Sequence, residues 1–284
     1  MVAVDAFTDY YEPQLKEANA AAAGLDVLRV DLVDEPLDEL FAGADGVFHL
    51  AGQPGVRSSW GAAFDLYVRR NVLATQRVLE AAAGAGARVV LASSSSIYGD
   101  AETYPTPEDA HPLPISPYGI TKLASEHLAR AYAKRSALEV VTLRYFTVYG
   151  PRQRPDMAFA RMLEALAHDE PFEIFGDGRQ SRGFTFVADA VEAAVRAMGA
   201  APPGAVYNVG GGGEATMLEA IEVAEAVSGR RLDVRYGPAA AGDVRRTAPD
   251  ASRIRGDLGW SPQVALADGL AAQWEWAWAR VGAG

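Results

Sequence analysis

SPYGITKLASEHLARAYAKRS, residues 116–136, reads as one helix. Ser116 is a capping hydroxyl, and Pro117 suits the first turn, where its missing N–H leaves no bond unmade. The segment before it, ARVVLASSS (87–95), is a strand ending in hydroxyls; the segment after it, LEVVTLRYF (138–146), is another strand. Two parallel strands need a long crossover between them, and a helix is the usual one.

The same alternation extends toward the N-terminus. VAV (2–4) is a short strand closed by Asp5, PQLKEANAAAAG (13–24) is helix-like, DVLRVD (26–31) is a strand and DELFAGA (38–44) a short helix. GVFHLAG (46–52) is a buried strand running into a small-residue turn. AFDLYVRRNVLATQRVLEAAAGAG (63–86) has apolar residues at i, i+3 and i+4 and predicts one long helix. Repeated strand–helix alternation implies a parallel sheet covered on both faces. The fold class expected is α/β, a doubly wound, Rossmann-like sheet over residues 1–150. After VYGPRQRPDMA (148–158) helices and short strands mix less regularly. Residues 151–284 read as a smaller α/β substrate lobe, with some segments returning to the first domain. The last helix, LADGLAAQWEWAWARV (266–281), carries three tryptophans, and Trp274 and Trp278 are spaced to pack on one face.

Composition narrows the function classes. A net charge of −11 argues against nucleic acid as the main partner, although a few arginines in one cleft can still hold a small anion. No apolar run approaches a membrane span, and the N-terminus lacks the pattern of a signal peptide. The expectation is a soluble cytoplasmic protein. With no cysteine there is no thiolate nucleophile or Cys–zinc site, and the four histidines show no paired metal spacing.

Three local signals carry chemistry. Tyr118 and Lys122 are four apart on a predicted helix, hence on one face. A tyrosine used as a base near pH 7 needs its pKa lowered by about three units, roughly 4 kcal/mol, and a nearby cation pushes that way. Ser93 to Ser96 lie at the carboxyl end of a strand, where doubly wound sheets bind ligands. Ala51 and Gly52 end a strand with almost no side chain, so a ligand can approach the backbone. Taken singly, these read as a helical coincidence, a solvated turn and a tight turn. An acid closing a strand, as Asp5 does, holds an adenosine ribose in dinucleotide-binding units, and it normally follows a Gly-rich loop by about 20 residues.

In order and spacing, the signals together resemble the extended short-chain dehydrogenase/reductase family, specifically its NAD-dependent nucleotide-sugar 4-epimerases. VDAFTDYY, HLAGQ, NVLAT, SSSSIYGD, SPYGITKLASE, LRYFTVYGPRQRPDMA, IFGDGRQSRGFTFVAD, YNVGGG and GDVRRTAPDASRIRGDLGWSP carry the resemblance over the whole chain. It implies NAD as cofactor and a UDP-sugar as substrate. Asp5 would hold the adenosine ribose, Asp31 and Leu32 would lie against adenine, and Leu50, Ala51 and Gly52 would line the dinucleotide. Ser94 is the implied catalytic hydroxyl, Tyr118 the base, and Lys122 its electrostatic partner and a ribose ligand. Tyr145 and Phe146 would sit near the nicotinamide. Ser95, Ser96, Thr147 and Arg154 would face the sugar, Phe175 the uracil, Arg182 the diphosphate and Asp243 the uridine ribose. Relatives dimerise through a four-helix bundle, here helices 63–83 and 118–135, so a homodimer is expected.

The chain departs from the pattern at three places. Arg70 stands where a small polar cofactor ligand is usual, and Gly183 replaces an acid usual after Arg182. The sequence also begins at the family's second strand, without the first strand and its G-x-x-G-x-x-G loop; a start codon assigned too late is the preferred account, with truncation or a natural remnant as others. In the reaction the resemblance implies, Tyr118 removes the sugar 4-hydroxyl proton while the nicotinamide accepts the C4 hydride, which then returns to the other face. Dehydratases of the family carry an Asp-Glu pair where this chain has Ser95 and Ser96, and decarboxylases tend to carry an acid there. Thr147, where most relatives have Asn, resembles epimerases of UDP-glucuronate, and Thr147, Ser95 and Arg154 would receive a C6 carboxylate. The alternatives are a UDP-glucose/galactose 4-epimerase, a nucleotide-sugar dehydratase or decarboxylase, and an inert sugar-nucleotide binder.

Overall fold

The structure, a computed structural model, describes residues 1–239, 242 and 244–281. In chain order the elements are β1 Ala3–Asp5, α1 Pro13–Ala22, β2 Val27–Arg29, α2 Asp38–Phe41, β3 Gly46–His49, α3 Phe64–Tyr67, α4 Ala74–Ala85, β4 Arg88–Ser94, α5 Pro117–Ser136, β5 Val140–Tyr145 and β6 Thr147–Tyr149. They continue as α6 Ala158–His168, β7 Phe172–Phe175, β8 Ser181–Phe186, α7 Val187–Ala200, β9 Val206–Val209, β10 Glu214–Thr216, α8 Met217–Ser228, β11 Val234–Gly237, β12 Arg246–Thr247, α9 Ser252–Leu258 and α10 Leu266–Val281.

The central sheet is parallel, in the order β3-β4-β5-β9, with Val47 opposite Val89, Val90 opposite Val141 and Thr142 opposite Val206. Strand alternation sends neighbouring residues to opposite faces. Val89, Leu91 and Val140 pack under Val78, Leu79, Ala82 and Ala129 of α4 and α5. Val90, Val141 and Leu143 pack on the other face under Ala193, Ala197, Ile254 and Trp260. The sheet is therefore covered on both sides, as the near-continuous apolar runs of β4 and β5 require. β9, from beyond residue 150, belongs to this sheet.

β1 and β2 form a separate parallel pair, and no ladder joins β1 to β3 among the described residues. The smaller lobe is built around β8, which pairs with β10 antiparallel and with β6 and β12 in parallel; β7 and β11 form a further pair. Its core holds Tyr149, Phe159, Met162, Leu163, Leu166, Phe184 and Leu270. Trp274 and Trp278 stack, with ring centroids 5.3 Å apart. No helix among the described residues is long and apolar enough to cross a membrane.

One expectation needs correction. Residues 63–86 do not form one regular helix: between α3 and α4, Val68–Leu73 make a π-helical turn. Such a turn inserts an extra residue per hydrogen-bonded ring and re-aims the side chains it carries, often at functional sites. Here those side chains include Arg70 and Asn71.

Ser116 caps α5 as its sequence implies, its hydroxyl accepting from Gly119 N at 3.1 Å, with Pro117 at the first position. Gly119 also lets the helix start closely against the turn that follows β4: a Cβ at this position would stand 2.5 Å from Ser96 O. Cap and glycine together set the first turn of α5, and with it Tyr118, beside the serines. Ser116→Ala is expected to cost about 0.5–2 kcal/mol of stability, measured by urea unfolding. An unchanged midpoint would show that the cap carries no weight.

Candidate active site

Two adjoining cavities open at the carboxyl ends of the sheet strands. The first is lined by Asp5 and the loop after β1 (Ala6, Thr8, Tyr10, Tyr11), by Lys16, by Val30–Val33 after β2, by Leu50–Pro54 after β3, and by Arg70, Ala74 and Arg154. The second is lined by Ser93–Ser96, Tyr118, Tyr145, Phe146, Thr147, Val148, Gln153, Arg154, Arg182 and Thr247, among others. Arg154 is common to both.

In the first cavity each acid uses one oxygen on its own turn. Asp5 Oδ1 accepts from Phe7 N at 2.6 Å, and Asp31 Oδ1 accepts from Val33 N at 2.8 Å. The second oxygen of each accepts no hydrogen bond among the described residues. Leu50, Ala51 and Gly52 present exposed backbone between them. Behind this turn stands Asn71, which the sequence reading did not assign. Its Oδ1 accepts from Gln53 N at 2.6 Å, and its Nδ2 donates to Gln53 O and to Thr121 Oγ1. Asparagine is a poor residue for a helix interior, and that was the available signal. Arg70, on the same π turn, donates to Gln53 Oε1 at 2.7 Å. The turn thus replaces a small ligand by a guanidinium that lines the cavity.

In the second cavity the serine run divides by strand alternation. Ser93 gives its hydroxyl to Glu126 while still lining the cavity, whereas Ser94 lies opposite Tyr145 and accepts from Ser96 N at 3.1 Å. Ser94 also hydrogen-bonds Tyr118. Burial pushes the Tyr118 hydroxyl above its ordinary pKa; the bond from Ser94 and the Arg154 guanidinium pull it back down. Lys122 lies beneath the cavities, 8 % exposed; a methyl group at Gly52 would be 4.0 Å from its Nζ. Burial lowers its pKa to about 8, against the pull of Glu126 one turn further along α5. Glu126 is itself held by Arg144, with Nη2 to Oε2 at 2.8 Å and Nε to Oε1 at 3.0 Å.

Some expected residues stand elsewhere. Phe175 lines neither cavity; Arg57 lies over its ring at 4.2 Å and Arg161 at 5.5 Å. Asp243 falls outside the described residues. Gly183 has a steric reason: a Cβ there would stand 2.6 Å from Pro249 Cδ, so the place of the usual acid is closed.

A tyrosine, a hydroxyl and a lysine at the strand ends of a doubly wound sheet, beside a cavity with two ribose-competent acids, define a nucleotide-cofactor enzyme. The chain belongs to the NAD dependent epimerase/dehydratase family, whose pattern matches residues 4–210. A probable UDP-glucuronate 4-epimerase of Rhizobium meliloti is 34 % identical over 97 % of this chain and 89 % of its own length. A UDP-glucose 4-epimerase of Mycolicibacterium smegmatis is 40 % identical over 86 % of this chain and 80 % of its own. The crystal structure of UDP-glucuronic acid 4-epimerase from Bacillus cereus, in complex with UDP-glucuronic acid and NAD, superposes with a TM-score of 0.94 at 39 % identity, covering 97 % of this chain and 90 % of that one.

Proposed function

We propose that this chain is an NAD-dependent 4-epimerase that interconverts UDP-glucuronate and UDP-galacturonate. The observation that carries the reading is the convergence of Ser95, Thr147 and Arg154 on the cavity that holds Tyr118 and Ser94. Two hydroxyls and a guanidinium suit a carboxylate, whereas a neutral hexose would leave them partly unpaired. The likeness to the Bacillus cereus and Rhizobium meliloti enzymes supports it.

The first cavity fits NAD. Asp5 would take the adenosine ribose hydroxyls, Asp31 and Leu32 the adenine, and Leu50, Ala51 and Gly52 the dinucleotide's length. Tyr118, Lys122, Tyr145 and Phe146 would meet its nicotinamide end. When bound, NAD supplies the hydride acceptor and donor for C4 of the sugar. Ser94 orients the 4-hydroxyl, and Tyr118 takes its proton and later returns it. Ser95, Ser96, Thr147 and Arg154 fix the sugar, while Phe175, Arg182 and Asp243 serve the uridine diphosphate. Residues 1–150 act as the cofactor domain and 151–284 mainly as the substrate lobe. The protein works in the cytoplasm as a homodimer through the segments 63–83 and 118–135, a reading supported by the exposed Leu73 and Ile120. A UDP-glucose 4-epimerase is the second reading, favoured by the Mycolicibacterium relative.

Arg154→Ala separates the two. Loss of a charge-assisted contact should lower kcat/KM for UDP-glucuronate by about tenfold to a hundredfold more than for UDP-glucose. An equal loss for both would place Arg154 on a part common to both substrates and remove the main support for a uronate.

A further inference from the structure

Arg154 does not stand free at the junction of the two cavities. Its Nε donates to Asp156 Oδ1 at 2.8 Å and its Nη2 to Asp156 Oδ2 at 3.0 Å, a side-on pair with one carboxylate. Nη2 also reaches Met157 Sδ at 3.3 Å. Nη1 meets no acceptor among the described residues. The second anchor comes from the other end of the fold. Tyr10, in the loop after β1, donates its hydroxyl to Asp156 Oδ2 at 3.1 Å, and the Arg154 guanidinium lies 5.5 Å from its ring centre. Tyr10 lines the first cavity. One carboxylate therefore holds a substrate-facing arginine and is itself held by a residue of the cofactor-facing loop, 146 positions away.

An arginine is long, and ordering it on a ligand sacrifices rotamer freedom. Asp156 has already ordered it. The pair also fixes which edge of the fork remains: the side-on edge is occupied, so an incoming anion is offered Nη1. We propose that Asp156 and Tyr10 are positioning residues that hold Arg154 with this one edge presented, and thereby set the preference for a sugar that carries a carboxylate. The inference rests on the reading of Arg154 as the uronate contact. Asp156 acts through Arg154 and needs no contact with substrate.

The test is calorimetric titration of UDP-glucuronate and of UDP-glucose, with NAD present, into the full chain and four variants: Arg154→Ala, Asp156→Asn, the double variant and Tyr10→Phe. Asp156→Asn should weaken UDP-glucuronate by about tenfold and leave UDP-glucose nearly unchanged, as loss of one charge-assisted contact would. The double variant should be no weaker than Arg154→Ala alone, because Asp156 acts on the sugar through Arg154. Tyr10→Phe, which removes a single hydroxyl, should shift the ratio in the same direction by a smaller factor, and it carries the test if Asp156→Asn does not fold. Equal weakening of both sugars, tighter binding of the uronate by an arginine released from Asp156, or an added loss in the double variant would each overturn the inference. If Arg154→Ala itself fails to discriminate between the sugars, the uronate reading falls and takes the inference with it. Selectivity lost in Arg154→Ala but kept in Asp156→Asn and Tyr10→Phe removes the inference alone.

Discussion

Tyr118→Phe is expected to lower kcat by about a hundredfold to ten-thousandfold, the range for loss of a positioned acid–base group. The ring remains, so its edge contact with Tyr67, at 6.4 Å between centroids, is kept. Only the hydroxyl that Ser94 bonds and Arg154 polarises is removed. Affinity for the sugar nucleotide should therefore stay close to that of the parent. The decisive pair of numbers is kcat from product formation and Kd from titration. Activity within about tenfold of the parent would mean that another group moves the proton. A fall in affinity with little change in kcat would make Tyr118 a binding residue instead.

Lys122→Met is expected to stabilise the fold at neutral pH while abolishing turnover. Lys122 is buried, with its pKa lowered from an ordinary 10.5 to about 8. Below pH 8 it is charged in both the folded and the unfolded chain, and burying that charge costs the fold on the order of 3 kcal/mol. Between about pH 8 and 10.5 the folded chain gives up the proton and the unfolded chain keeps it, so the parent's stability rises with pH. A methionine never carries the charge. Its advantage should be largest at pH 7 and shrink as pH approaches 10.5. Urea midpoints at pH 7 and pH 10 for both proteins measure this. A variant less stable at pH 7, or an advantage independent of pH, would show that the ammonium is better accommodated than its burial implies. A lysine kept at that cost is a functional element rather than a structural one.

What the sequence revealed, and what it hid, follows the range of the interactions. β4, α5 and β5 were legible because apolar alternation, a Ser–Pro helix start and Tyr–Lys spacing are local signals. Asp5 was legible because it closes a short strand, whereas Asp31 was reached only through the family resemblance. The π turn was not, because one extra residue in a helical ring leaves the apolar spacing nearly unchanged over so short a span; Asn71 was quoted within NVLAT without a role for that reason. Which serine of the run bonds Glu126 depends on strand direction, which a four-residue repeat of one amino acid does not disclose. The link from Tyr10 through Asp156 to Arg154 joins positions 146 apart and has no sequence signature. Burial raises the Tyr118 hydroxyl while Ser94 and Arg154 pull it down, and all three effects depend on tertiary packing.

The most direct test of the account is to incubate the protein with NAD and UDP-glucuronate in deuterated water and follow the sugar protons by NMR. The account predicts that UDP-galacturonate appears, that the same mixture is reached from either sugar, and that H-4 and H-5 remain protium, since the hydride is returned internally and no residue at positions 95 and 96 can abstract H-5. Deuterium at C5, release of carbon dioxide, or turnover of UDP-glucose with none of the uronate would contradict it.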